Sequence, residues 1–147
     1  MAKLYTYTDG NLIQFLNNDL LIRLELEKYN ISINQTEINE IDSFIQNMYS
    51  KYNFVRHDFF SNNCVSMIKK DLHHHESEEA RFVIKGVGAF YFPVGDMDIQ
   101  LYVEPTDFVI IPAYIKHYFN TVDDMLILRF FTTHDDYEAI YDICEYS

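Results

Sequence analysis

The chain has 147 residues, 48% of them hydrophobic and 23% charged, with 4 Gly and 3 Pro, a composition that fits one globular domain over residues 1–147 and excludes disorder or a fibrous repeat. Its 11 basic and 23 acidic residues give a net charge of −12, which repels a phosphate backbone and anionic lipid headgroups alike; neither nucleic acid nor membrane is an expected partner. Cys64 and Cys144 are too few for a disulfide framework and MAKLYTYTDG has no apolar leader core, so a cytoplasmic protein is expected, with monomer as the default state.

Apolar Leu20, Leu21, Leu24 and Tyr29 recur at near-helical spacing over residues 19–29, with Asn17, Asn18 or Asp19 as the N-cap. A second helix is predicted over residues 36–49, capped by Thr36, with Ile38, Ile41, Ile45 and Met48 on one stripe. Residues 1–52 therefore read as a helical elaboration.

After Tyr52 the texture changes to short runs of Val, Ile, Phe and Tyr between turn signals such as Lys85-Gly86-Val87-Gly88, Gly95-Asp96 and Asp123-Asp124. The predicted strands cover roughly residues 54–58, 65–68, 79–84, 89–92, 99–103, 108–111, 117–120 and 125–131. Such regularly spaced strands over 53–131 imply a barrel or sandwich, in an all-β or α+β fold. Residues 132–147 carry Tyr137, Ile140, Tyr141 and Cys144 at helical spacing and predict a closing helix.

The segment 73–82, HHHESEEARF, contains His-x-His-x-x-x-Glu, and His117 follows later, after Pro112. In an extended chain His73 and His75 project to one side while His74 points away, so two imidazoles can share one ion. Glu79 and Arg81 share a parity on the next strand and bring a carboxylate and a cation to the same face. His117, just beyond a Pro-containing turn, can face them across a barrel. Three neutral imidazoles and one carboxylate leave a divalent ion with a net charge of +1, which suits Fe, Ni, Mn or Co.

The stretch 73–92, HHHESEEARFVIKGVGAFYF, together with 103–119, VEPTDFVIIPAYIKHYF, resembles the two-motif signature of the cupin superfamily and, within it, the acireductone dioxygenase family. The opening YTYTDG and the region 52–60 resemble that family more weakly. The resemblance implies a cupin (double-stranded β-helix, jelly-roll) barrel with flanking helices, and metal ligands at His73, His75, Glu79 and His117. It further implies Fe2+, alternatively Ni2+, as cofactor, and O2 addition to a small enediol or related anionic substrate, as in methionine salvage.

Under this reading Glu79 and Arg81 are the catalytic candidates, and Arg81, Arg129 and Tyr114 contact substrate. Arg81 can pair with an enediolate oxygen or with a carboxylate of the protein. Arg129 lies in the apolar run 125–131, where it either faces inward to a partner or ligand or outward to solvent. Phe82, Phe90 and Phe92 read as ordinary core, and His57 and His134 as structural or surface residues.

Where the family reads Pro-Ala-Gly-Ile-Tyr-His-Arg-Phe, this chain has Pro112-Ala113-Tyr114-Ile115-Lys116-His117-Tyr118-Phe119, and it has no Trp. Tyr114 in place of Gly is expected to change the turn or the space beside the metal. The alternatives are a diverged cupin iron oxygenase acting on another substrate in specialised metabolism, and a non-enzymatic metal-binding cupin.

Overall fold

The structure, a computed structural model, describes residues 2–62, 72–134 and 140–141. It opens with strands, not helices: β1 (Lys3–Thr8) and β2 (Asn11–Leu16) form an antiparallel hairpin. Asp9 and Gly10 join them with φ of 50° and 77°, the two positive values that a tight type I′ turn requires. Then follow α1 (Asp19–Glu27), β3 (Ser32–Gln35) and α2 (Ile41–Lys51). The expected helical elaboration over residues 1–52 is thus corrected to two helices interleaved with three strands.

Asn18 caps α1 by accepting from the Leu21 N–H at 3.2 Å, as the sequence suggested. The buried stripe differs: Ile22 and Leu26 are inside, while Leu20, Leu21 and Leu24 are exposed. Helix α2 starts at Ile41, not at Thr36. The Thr36 N–H donates to the Thr106 carbonyl at 2.9 Å, which extends the β3 edge and keeps residue 36 out of the helix.

The remaining strands are β4 (Arg56–Asn62), β5 (His73–His74), β6 (Glu79–Lys85), β7 (Gly88–Val94), β8 (Met97–Val103), β9 (Asp107–Ile111), β10 (Tyr118–Thr121), β11 (Met125–Phe131) and β12 (Ile140–Tyr141). The predicted strand at 65–68 lies outside the described residues, as does Cys64. The closing helix expected in the tail falls mostly on residues 135–139 and 142–147, which lie outside the described residues; Ile140 and Tyr141 form a short strand pairing with His74 and His73.

Two antiparallel five-stranded sheets result, ordered β10-β7-β8-β1-β2 and β3-β9-β6-β11-β4. Alternation along each strand sorts the side chains. Leu4, Phe90, Phe92, Ile99 and Leu101 of the first sheet share one buried cluster with Val83, Val109, Ile111 and Ile127 of the second, so the sheets pack face to face. Residues of opposite parity on the second sheet, Ala80, Phe82, Phe108, Ile110, Leu128 and Phe130, meet Phe44 and Ile45 of α2 on its outer face. Coverage on both faces explains why all five residues of β9 are buried.

The β6–β7 turn depends on Gly86: its φ is +86°, and a Cβ there would collide with the Asp124 carbonyl oxygen. No helix among the described residues is long and apolar enough to cross a membrane.

Candidate metal centre

His73 and His117 are brought together by the backbone. They form an isolated antiparallel bridge, with His73 N to His117 O at 2.9 Å and His117 N to His73 O at 2.8 Å. His75 is tied to the same turn, its carbonyl accepting from the Tyr114 N–H at 2.8 Å. The ring centroids lie 4.5 Å (His73–His117), 5.0 Å (His73–His75) and 5.6 Å (His75–His117) apart. One nitrogen from each of these rings falls within 4.8 Å of the others, a spacing that can hold a metal ion.

Glu79, the first residue of β6, borders this group. Its Oε2 lies 2.6 Å from His117 Nε2 and 3.5 Å from His75 Nε2, and its Oε1 lies 3.1 Å from Arg81 Nε. Glu79, Arg81, His75 and His117 are all buried. Burial alone opposes ionisation of Glu79, but the Arg81 charge and the neighbouring His117 and His75 outweigh it and hold the carboxyl far below the ordinary range. Arg81 is further fixed by donating from Nη1 to the Ala80 carbonyl at 3.0 Å.

His117 Nδ1 lies 2.8 Å from the Ile115 carbonyl, an acceptor only, so Nδ1 donates to it and Nε2 is the ring atom turned toward the Glu79 carboxylate. Nε2 and Glu79 Oε2 approach to 2.6 Å, and among the described residues both are buried with no other hydrogen-bond partner. A proton on Nε2 or a metal cation at the junction would each satisfy both atoms, and the two imidazoles beside them supply the further donors that a metal needs. The backbone carbonyl behind His117 is the kind of support that orients metal-ligating imidazoles.

The other sequence candidates separate. Arg129 lies opposite Arg81 across β11–β6, on the same face, and is held by a bidentate pair with Asp58, Nε–Oδ1 at 2.7 Å and Nη2–Oδ2 at 2.6 Å. Its guanidinium also sits 4.7 Å from the Phe60 ring centroid. Arg56 shares the parity of Asp58 on β4 and stacks on Phe131 at 3.8 Å.

Neither Asp58 nor Arg56 was singled out in the sequence. Their alternation on a strand was visible in the sequence, but the pairing of β4 with β11 that sets Asp58 opposite Arg129 was not. Tyr114 is 66% exposed, with its ring 6.0 Å from that of His74. Its φ is +71°, so the turn keeps the backbone that a Gly would adopt and the Tyr absorbs the strain. Phe90 and Phe92 approach the His117 ring at 6.4 and 6.1 Å, whereas Phe82 lies with the cluster under α2. His57 bonds the Tyr49 hydroxyl at 2.6 Å, an ordinary link between β4 and α2.

Fold and site together define a double-sheet β protein that gathers three imidazoles, in a position to hold a metal, at one edge of its core. The ARD/ARD′ family profile matches residues 13–139, and the chain belongs to that family, whose members are metal-dependent dioxygenases. The acireductone dioxygenase of Bacillus cytotoxicus is 24% identical over 160 aligned positions, covering 86% of this chain and 93% of that one. That of Sulfurihydrogenibium sp. is 35% identical over 72 residues, which is 48% of this chain and 40% of the relative's length. Among solved structures, acireductone dioxygenase from Bacillus anthracis with a cadmium ion in its active center superposes with a TM-score of 0.79 at 19% identity, covering 96% of this chain and 98% of the other.

Proposed function

We propose that the chain is a cytoplasmic cupin jelly-roll dioxygenase of the acireductone type, adding O2 to an enediolate in methionine salvage. His73, His75, Glu79 and His117 would hold one Fe2+, alternatively Ni2+. The observation that carries this reading is the convergence of three imidazoles at metal-holding spacing, with Glu79 Oε2 2.6 Å from His117 Nε2. A divalent ion bound there would supply the Lewis-acid charge that binds and polarises the enediolate.

The chain's own residues perform the rest. The hydrogen bond from His117 Nδ1 to Ile115 O fixes that ring's tautomer and direction. Arg81 holds the Glu79 carboxylate through Oε1 and leaves a cation beside the centre, where a substrate anion is attracted despite the net charge of −12. Arg129, kept in place by Asp58, adds a second cation on the same face. Phe90 and Phe92 exclude water behind His117.

Tyr114, exposed beside His74 on the turn whose N–H bonds the His75 carbonyl, favours a second reading, a diverged iron oxygenase acting on another substrate in specialised metabolism. The test is anaerobic mixing of Fe2+-loaded protein with a synthetic acireductone, followed by O2. Rapid, O2-dependent loss of the enediol absorbance is expected. Absence of turnover at full metal occupancy would refute the assignment and leave the diverged-oxygenase reading.

A further inference from the structure

The outer faces of the two sheets are treated differently by the chain. That of the second sheet is covered by α2 through Phe44 and Ile45. The first sheet instead carries an aromatic ribbon across all five of its strands. Phe15 on β2 packs on Tyr5 on β1, with centroids 4.8 Å apart, and Tyr5 meets Tyr102 on β8 at 5.4 Å. Tyr102 shares a hydrogen bond with Tyr91 on β7, and Tyr91 stacks on Tyr118 on β10 at 4.5 Å and 8° between planes. These side chains face outward, because their strand neighbours Leu4, Leu101, Phe90 and Phe92 belong to the interior cluster. The buried residues of α1 and α2, the two helices among the described residues, lie in the two clusters already described, so neither of them covers the ribbon.

We propose that this aromatic face is the interface of a homodimer, two copies packing their first sheets face to face about a two-fold axis that runs across the strands. Charge is the first argument. In a chain of net charge −12, the charged residues at outward positions of this sheet are Lys3 and Asp98, which cancel. Like-charge repulsion between copies is therefore smallest here.

Their placement is self-complementary. Lys3 pairs with Tyr102 at one end of the β1–β8 ladder and Asp98 with Tyr7 at the other, with Tyr5 and Gln100 between. An axis across the strands exchanges the ends and sets Lys3 of each copy against Asp98 of its partner, as a two-fold contact requires. Area is the second argument. The partly exposed ribbon, with the exposed Leu12 and Phe15 of β2, offers on the order of 500 Å² of apolar surface per copy, near the upper end for an uncovered patch on a monomer. With its polar margin it approaches the ~800 Å² per partner of a standard interface. Tyr and Phe are also the residues that dominate interface cores.

Sedimentation equilibrium of the metal-loaded full-length chain over a dilution series tests this. A reversible dimer is expected. Lys3→Glu or Asp98→Lys, each at an exposed position, should weaken it about tenfold by setting like charges opposite each other. The double variant Lys3→Glu/Asp98→Lys should restore it, with metal content unchanged throughout. A chain that stays monomeric at the highest concentration overturns the proposal and leaves the face to another kind of partner. So does a dimer indifferent to the single reversals, or one that the double exchange fails to rescue.

Discussion

Exchanging Glu79 for Gln keeps the volume and removes the charge, and the geometry states what should follow. In the metal-free protein the exchange weakens the contact to Arg81 at 3.1 Å but replaces the oxygen that faces His117 Nε2 by an amide N–H able to donate to it. The two effects oppose each other, so the net change in folding stability should stay within about 1–2 kcal/mol. With metal the balance differs. An ion at a thousand times its Kd stabilises the native state by about 4 kcal/mol, which for a domain of this length raises Tm by about 10 °C. Loss of one anionic ligand of four should weaken affinity by about a hundredfold or more, removing about 2.7 kcal/mol and leaving a rise of roughly 4 °C. Thermal melts of chelator-stripped protein with and without added Ni2+, wild type beside Glu79→Gln, measure both quantities. An undiminished metal-dependent rise in Glu79→Gln would refute the reasoning that places the cation between Glu79 and His117.

Arg81→Lys keeps the charge and loses the planar fork that reaches Glu79 and the Ala80 carbonyl; steady-state kinetics should show KM raised about tenfold at unchanged metal content. Tyr114→Gly relieves a left-handed backbone, φ +71°, worth about 1–2 kcal/mol before the greater freedom of unfolded Gly is subtracted; a net gain of ~0.5–1 kcal/mol should appear as a higher Tm with metal binding intact. Asp107 gives a pH dependence. Burial pushes its carboxyl up to about 6, although the Glu104 N–H donates to it at 2.8 Å. A raised carboxyl contributes stability below its unfolded value of roughly 4 and loses it as pH rises through about 6, a span worth up to about 3 kcal/mol. Asp107→Asn, uncharged and still an acceptor, should therefore raise Tm near neutral pH and match the wild type near roughly pH 4, as melts across that range would show.

The strands of the second half were legible because their turns are punctuated by Gly and Asp and their apolar runs are short; the predicted strand over residues 125–131 coincides with β11. The first hairpin was equally legible and was missed: Asp9-Gly10 between alternating segments is a strong two-residue turn signal, obscured by the helical pattern that follows. The buried side of α1 was not legible. Leu20, Leu21 and Leu24 form as good a stripe as Ile22 and Leu26, and only the packing of the sheets decides between them. The parity of His73, His75, Glu79 and Arg81 could be read from spacing alone, since alternation is a property of the extended chain. The role of Asp58 could not, because the pairing of β4 with β11 that sets it opposite Arg129 is a long-range event.

The most direct test of the metal centre is anomalous diffraction at the nickel edge from crystals of Ni2+-loaded protein. One peak is expected, at about 2.0–2.2 Å from a ring nitrogen of each of His73, His75 and His117 and from Oε2 of Glu79. A peak elsewhere, or one that the Glu79 carboxylate does not reach, would contradict the account.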